Sequence, residues 1–165
     1  IQCCGDFTMQ IDCEMKKNWI IILFLSVSVL GCKPTYYTHQ VNYLEGTAQT
    51  ISLRCVGYGI DRFMAINDAE QAAVKELLFR GVPLSQQKDA LVSTNESESL
   101  RKNNSYFNEL LSKGRYKTFI ISSTPVSDIS HYKGSLKQIT VDVKINLYGL
   151  RKDLEQNNII RPFGY

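Results

Sequence analysis

Residues 136–148 constrain the fold more than any other stretch. Ile139, Val141, Val143, Ile145 and Leu147 alternate with Gln138, Thr140, Asp142, Lys144 and Asn146. A sustained two-residue period puts all the apolar side chains on one face, which predicts a long antiparallel strand with one wet face. Residues 49–58 repeat the pattern. Ile51, Leu53 and Cys55 share a side, with Ser52 and Arg54 opposite. A third β-rich stretch is Tyr116–Ser123. Such a sheet needs helices on its apolar face, and the chain has the material for them. It has 165 residues, 44% of them apolar and 21% charged, which is one domain's worth of chain. That composition excludes collagen-like and disordered classes.

Asn67-Asp-Ala-Glu70 reads as a helix start, with Asn67 as cap and Glu70 as its capping-box partner. Ala69, Ala72, Ala73 and Leu77 then form a small-residue stripe that lets a helix sit close to a sheet, and Gly81 and Pro83 end it. Residues 84–97 are polar and read as a long mobile connection. A second helix is predicted from Ser99 to Lys113, with Leu100, Phe107, Leu110 and Leu111 inward and Gly114 as stop. Pro125–Gly134 reads as a loop or wide hairpin, Leu150–Gln156 as a short last helix and Arg161–Tyr165 within a tail. The expected fold is a two-layer α+β domain of order β-α-(α)-β-β, a three-stranded antiparallel sheet packed by one or two helices. Gly57-Tyr58-Gly59 lacks the third glycine and the Lys-Ser/Thr of phosphate-binding loops.

The amino-terminal part reads differently. Met15 is followed by Lys16 and Lys17, then by an apolar run from Trp19 to Leu30, then by Gly31 and Cys32. This is the order of a secretory signal. The run is shorter than the roughly 20 apolar residues that a spanning helix needs. Val29-Leu30-Gly31-Cys32 resembles the lipobox of bacterial lipoproteins. The Cys32 thiol is the group that takes a diacylglyceryl chain, and Val29, Leu30 and Gly31 form the signal-peptidase recognition site. Two or three acyl chains give stable anchoring where one does not. The resulting division is 1–14 as a mis-assigned start, 15–31 as signal peptide, 32–47 as lipid-anchored tether, 48–158 as the α+β domain and 159–165 as tail.

A strand, Gly57-Tyr58-Gly59, the Ala-rich helix from Ala69 and a two-stranded return behind a lipobox together resemble the twenty-kilodalton (LPP-twenty) bacterial outer-membrane lipoprotein family, over about residues 49–148. The resemblance implies a small β-α-β-β unit similar to the dodecin fold. It transfers no catalytic residue. Lys33, directly after Cys32, points to outer-membrane delivery, with the domain on the periplasmic face.

Candidate chemistry is sparse. Cys55 shares the inward face of its strand and reads as a small buried apolar residue. After processing it would be the only cysteine besides Cys32, so no intramolecular disulfide is expected. Cys3, Cys4 and Cys13 lack the paired spacing of a zinc site. Ser127, Asp128 and His131 could form a hydrolytic triple, although polar loops supply such triples by chance. Arg101-Lys102 and Lys113-Gly-Arg115-Tyr-Lys117, with Tyr106 and Tyr116, could form an aromatic and basic surface. From Lys33 onward, 17 basic and 13 acidic residues leave a modest net charge of +4, and nucleic acid is not implied. No metal, cofactor or catalytic residue is expected. The expected function is a non-catalytic structural or interaction component of the envelope, joined to its membrane by lipid and to other envelope proteins by contact. Self-association and a ligand- or glycan-binding role stay open.

Overall fold

The computed structural model describes residues 38–162. It is an α+β fold with an open, fully antiparallel sheet. Five strands contribute: β1 (Val41–Gly46), β2 (Thr50–Gly59), β3 (Ile120–Pro125), β4 (Ser130–Lys133) and β5 (Leu136–Asn146). The order is β1-β2-β5-β3, with β4 pairing β5 as well. β2 and β5 are the central pair, in register from Thr50 opposite Asn146 to Gly59 opposite Lys137. The four α-helices among the described residues are α1 (Arg62–Phe79), α2 (Glu96–Lys102), α3 (Asn104–Phe107) and α4 (Leu147–Gln156).

The two-residue period does what it predicts. Ile51, Leu53, Cys55, Ile139, Val141, Val143 and Ile145 are buried on one face, beneath Ala65, Ala69, Ala73 and Leu77 of α1. The small stripe and two glycines set that spacing. A Cβ on Gly57 would lie 2.0 Å from the Ala65 carbonyl oxygen, and one on Gly59 would lie 2.5 Å from the Ala65 nitrogen. Only hydrogen at both positions lets the helix backbone come this near the strand.

Several expectations are corrected. α1 starts five residues before Asn67. Asp61 is its cap and accepts the Met64 N–H at 2.8 Å. The sheet has five strands rather than three. Val41–Gly46, expected within the tether, is β1, and Val41 and Tyr43 pack against the core. The Pro125–Gly134 loop contains β4, every residue of which is exposed, so burial leaves no period to read. Tyr116 lies in a 3-10 turn (Arg115–Phe119), and the strand begins at Ile120. The second helix is broken. α2 gives way to α3, then to a π-turn (Asn108–Ser112), and Gly114 stops it with φ of 80°. Phe107, Leu110 and Leu111 still face inward.

Residues 84–97 are not a loose connection. The Leu91 and Val92 amides donate to the Leu77 and Leu78 carbonyls at 2.9 and 3.0 Å, satisfying two end carbonyls of α1. Gln87 is buried and accepts from Arg151 of α4 at 2.6 Å. α4 starts at Leu147, inside the stretch 136–148 expected as strand and three residues before the expected helix start at Leu150. Asn146 caps it by accepting the Gly149 N–H at 2.8 Å.

Candidate functional site

Two polar arrangements stand out, and neither is continuous in sequence. The first lies where the chain enters the fold. The Gln40 carbonyl accepts the Val56 N–H at 3.0 Å, which extends the β1–β2 ladder toward residue 39. His39 Nε2 then lies 2.7 Å from Asp68 Oδ2 on α1, so a ring N–H there donates to the carboxylate. The same oxygen accepts the Tyr58 N–H at 2.8 Å. Tyr58 is buried, with its ring 4.7 Å from that of Tyr132 and 5.8 Å from that of His39. Asp68 thus ties together the incoming chain, the end of β2 and the second turn of α1. It is a staple, with no nucleophile beside it.

The second is the sheet face turned away from α1. Arg54 and Asp142, opposite each other on β2 and β5, make a two-pronged pair at 2.7 and 2.8 Å. The guanidinium holds the Asp142 carboxyl below the usual carboxylate range. In turn the carboxylate raises Arg54. Beside them lies a shallow depression of about 490 Å³, lined by Glu45, Ser52, Ser122, Thr124, Asp142 and Lys144 among others. Carboxylates, hydroxyls and one ammonium offer hydrogen bonds to a hydroxyl- or amide-rich partner. Leu44 and Val143 complete the lining, which is more polar than is usual for small-molecule sites.

Cys32, with Val29, Leu30 and Gly31, lies outside the described residues, as do Cys3, Cys4 and Cys13. Cys55 is buried against the core, and burial, followed by Glu76 and Asp142, pushes its thiol up to about 12. A thiol so buried and so weakly acidic is a poor nucleophile at neutral pH. Ser127, Asp128 and His131 do not converge. Ser127 Oγ accepts the Thr140 N–H at 2.9 Å and donates to the Asp128 backbone carbonyl, while His131 Nε2 meets the Gly134 carbonyl at 2.9 Å. These side chains hold the β3–β4–β5 turns in shape.

Of the aromatic and basic cluster, Tyr106, Arg115 and Tyr116 are used internally, whereas Arg101 and Lys102 are exposed on α2. Arg115 donates to Asp153 at 2.8 Å and lies 5.1 Å from the Tyr106 ring centre, and the Tyr106 hydroxyl donates to the same carboxylate at 2.6 Å. Burial raises the Tyr106 phenol and also pushes Tyr116 up to about 12. The Tyr116 ring is buried, and its hydroxyl donates to the Asn67 carbonyl. No group of three or more potential ligands able to hold a metal occurs among the described residues. No helix among them is long and apolar enough to cross a membrane.

Sequence reasoning missed the His39–Asp68 contact, because 29 residues separate the partners and neither sits in a periodic stretch. The Arg54–Asp142 pair was half legible, since both lie on wet strand faces, but strand register decides whether they meet. Comparison with protein-family models, with curated proteins and with solved structures finds no match to this chain.

Proposed function

We propose that this chain is a lipid-anchored bacterial lipoprotein, a non-catalytic structural or protein-interaction component of the cell envelope, of the kind its LPP-twenty resemblance implies. The observation that carries this reading is the run from Met15 to Cys32: two lysines, about a dozen apolar residues, Gly31, then a cysteine. The acylated Cys32 would hold the protein on the outer membrane at its periplasmic face. The arrangement of the domain supports a role through contacts. His39 with Asp68, Arg54 with Asp142, and Tyr106 and Arg115 with Asp153 are engaged in structural bonds, and the sheet face away from α1 offers a broad polar surface.

The depression beside Asp142 favours a second reading, a lipoprotein that binds a glycan or another polar ligand there. Mass spectrometry of the amino-terminal peptide from membranes tests the anchor. The expected peptide begins at Cys32 and carries a diacylglyceryl group and a further acyl chain. A peptide that begins upstream, or an unmodified Cys32, overturns it. Mild crosslinking in cells separates the two roles. Recovery of envelope proteins supports the first, whereas recovery of monomer alone with a thermal shift on adding cell-wall fragments supports the second.

A further inference from the structure

The end of the domain where the chain enters also carries its most exposed apolar cluster. Ile60, Phe63 and Met64 are 54, 69 and 49% exposed and lie together at the start of α1. β1 runs antiparallel to β2, so residue 39 sits beside Tyr58, one residue before Gly59 and two before Ile60. Lys137 pairs opposite Gly59, and Lys133 is at the adjoining end of β4. With Arg62 they are three exposed basic side chains at this end of the domain, with no ion pair among the described residues, and Lys117 Nζ lies 5.3 Å from the centre of the Phe63 ring. Asp61, the acid of the same stretch, is engaged as the cap of α1.

We infer that this end, with Ile60, Phe63 and Met64 as an apolar wedge and Arg62, Lys133 and Lys137 as its basic rim, is a membrane-contacting surface that seats the domain on an anionic bilayer. The inference rests on the lipid-anchor reading above. Two features favour a bilayer as occupant. The six residue-to-residue steps from Cys32 to Thr38 reach at most about 20 Å, so an acylated Cys32 keeps this end, and not the opposite one, close to the headgroups. Apolar side chains within a basic rim match the acyl boundary and the negative headgroups of such a surface.

The test places a tryptophan as a depth reporter. The chain has a single Trp, Trp19, inside the expected signal peptide, so an introduced indole is the only one in the processed protein, and a Trp19→Phe background keeps it the only one where the signal is retained. Full-length Phe63→Trp, with Met64→Trp as a second reporter, is compared with Leu84→Trp. Leu84 is 90% exposed and lies beyond the far end of the 18-residue α1, about 27 Å along its axis. Each protein is reconstituted in vesicles of brominated phosphatidylcholine with a minority of phosphatidylglycerol. Position 63 or 64 is expected to shift to the blue and be quenched, while position 84 stays as in water. Equal quenching at both ends, or at 84 alone, overturns the inference. No quenching at 63 and 64 in a protein whose Cys32 is acylated by mass spectrometry overturns it and leaves the anchor standing. A protein without acyl chains that also fails to bind vesicles overturns both.

Discussion

Replacing Gly57 by Ala tests the closest approach in the molecule. The added methyl would meet the Ala65 carbonyl oxygen at 2.0 Å, the Ala69 nitrogen at 2.6 Å and the Ala69 Cβ at 2.7 Å. Ordinary contact starts near 3.4 Å, so α1 would have to lift by more than an ångström. Two of the three atoms are backbone, and no rotamer change can clear them. Overpacking of this kind typically costs about 1–3 kcal/mol, and an obstacle made largely of helix backbone puts Gly57→Ala at or above about 3 kcal/mol. A domain of this size loses roughly 3–5 °C of melting temperature per kcal/mol, so thermal unfolding followed by circular dichroism should fall by about 10 °C or more. Adding Ala69→Gly should restore little of it, because the Ala65 carbonyl stays in place. Gly114→Ala is the comparison. Nothing lies within 4 Å of its Cβ position, and only its φ of 80° opposes the change, at a cost of about 1 kcal/mol. If Gly57→Ala melts within a degree or two of the parent, the helix does not sit where this reasoning puts it.

Asp68→Ala removes the acceptor of the Tyr58 N–H and should cost about 1–3 kcal/mol by denaturant unfolding, with Asp68→Asn recovering part of it. The Asp142 carboxyl is depressed in the folded state, so its contribution is present above the ordinary carboxylate value and is lost as pH falls. The parent should therefore lose stability from about pH 4 downward more steeply than Asp142→Asn. Cys55, with its thiol raised to about 12, should resist alkylation at neutral pH in the native protein and react on unfolding. Its thiolate fraction is lower than that of a free cysteine by on the order of a thousandfold. Leu84 has φ of 68° and is almost fully exposed, so Leu84→Gly should raise stability by about 0.5–1 kcal/mol.

The parts of this fold legible in sequence are those whose burial is periodic. β5 alternates over its whole length, β2 alternates in residue type from Ile51 to Cys55 although Ser52 is buried as well, and the alanines of α1 recur at helical spacing. Where burial is one-sided or absent the signal disappears. β1 buries only parts of Val41 and Tyr43, and β4 buries nothing. The start of α1 was missed because Phe63 and Met64 face outward, so the inward stripe begins only at Ala65. The broken second helix shows the opposite case. Asn103, Asn104 and Ser105 are poor helix formers, and the chain changes its winding there while keeping Phe107 and Leu110 buried. Candidate sites were less legible than strands, since Asp68 and Asp142 acquire partners only through tertiary register.

On the lipid-anchor reading proposed above, the irregular margins of the sheet would have a consequence. On one side the ladder slips between Tyr43 and Glu45, and on the other the outer row is split between Pro125 and Ser130. Proteins held by lipid tails crowd in two dimensions, where neighbours meet far more often than in free solution. A long flat margin would let them polymerise by adding strand to strand, and the slip and the split interrupt the hydrogen-bonding template for that growth.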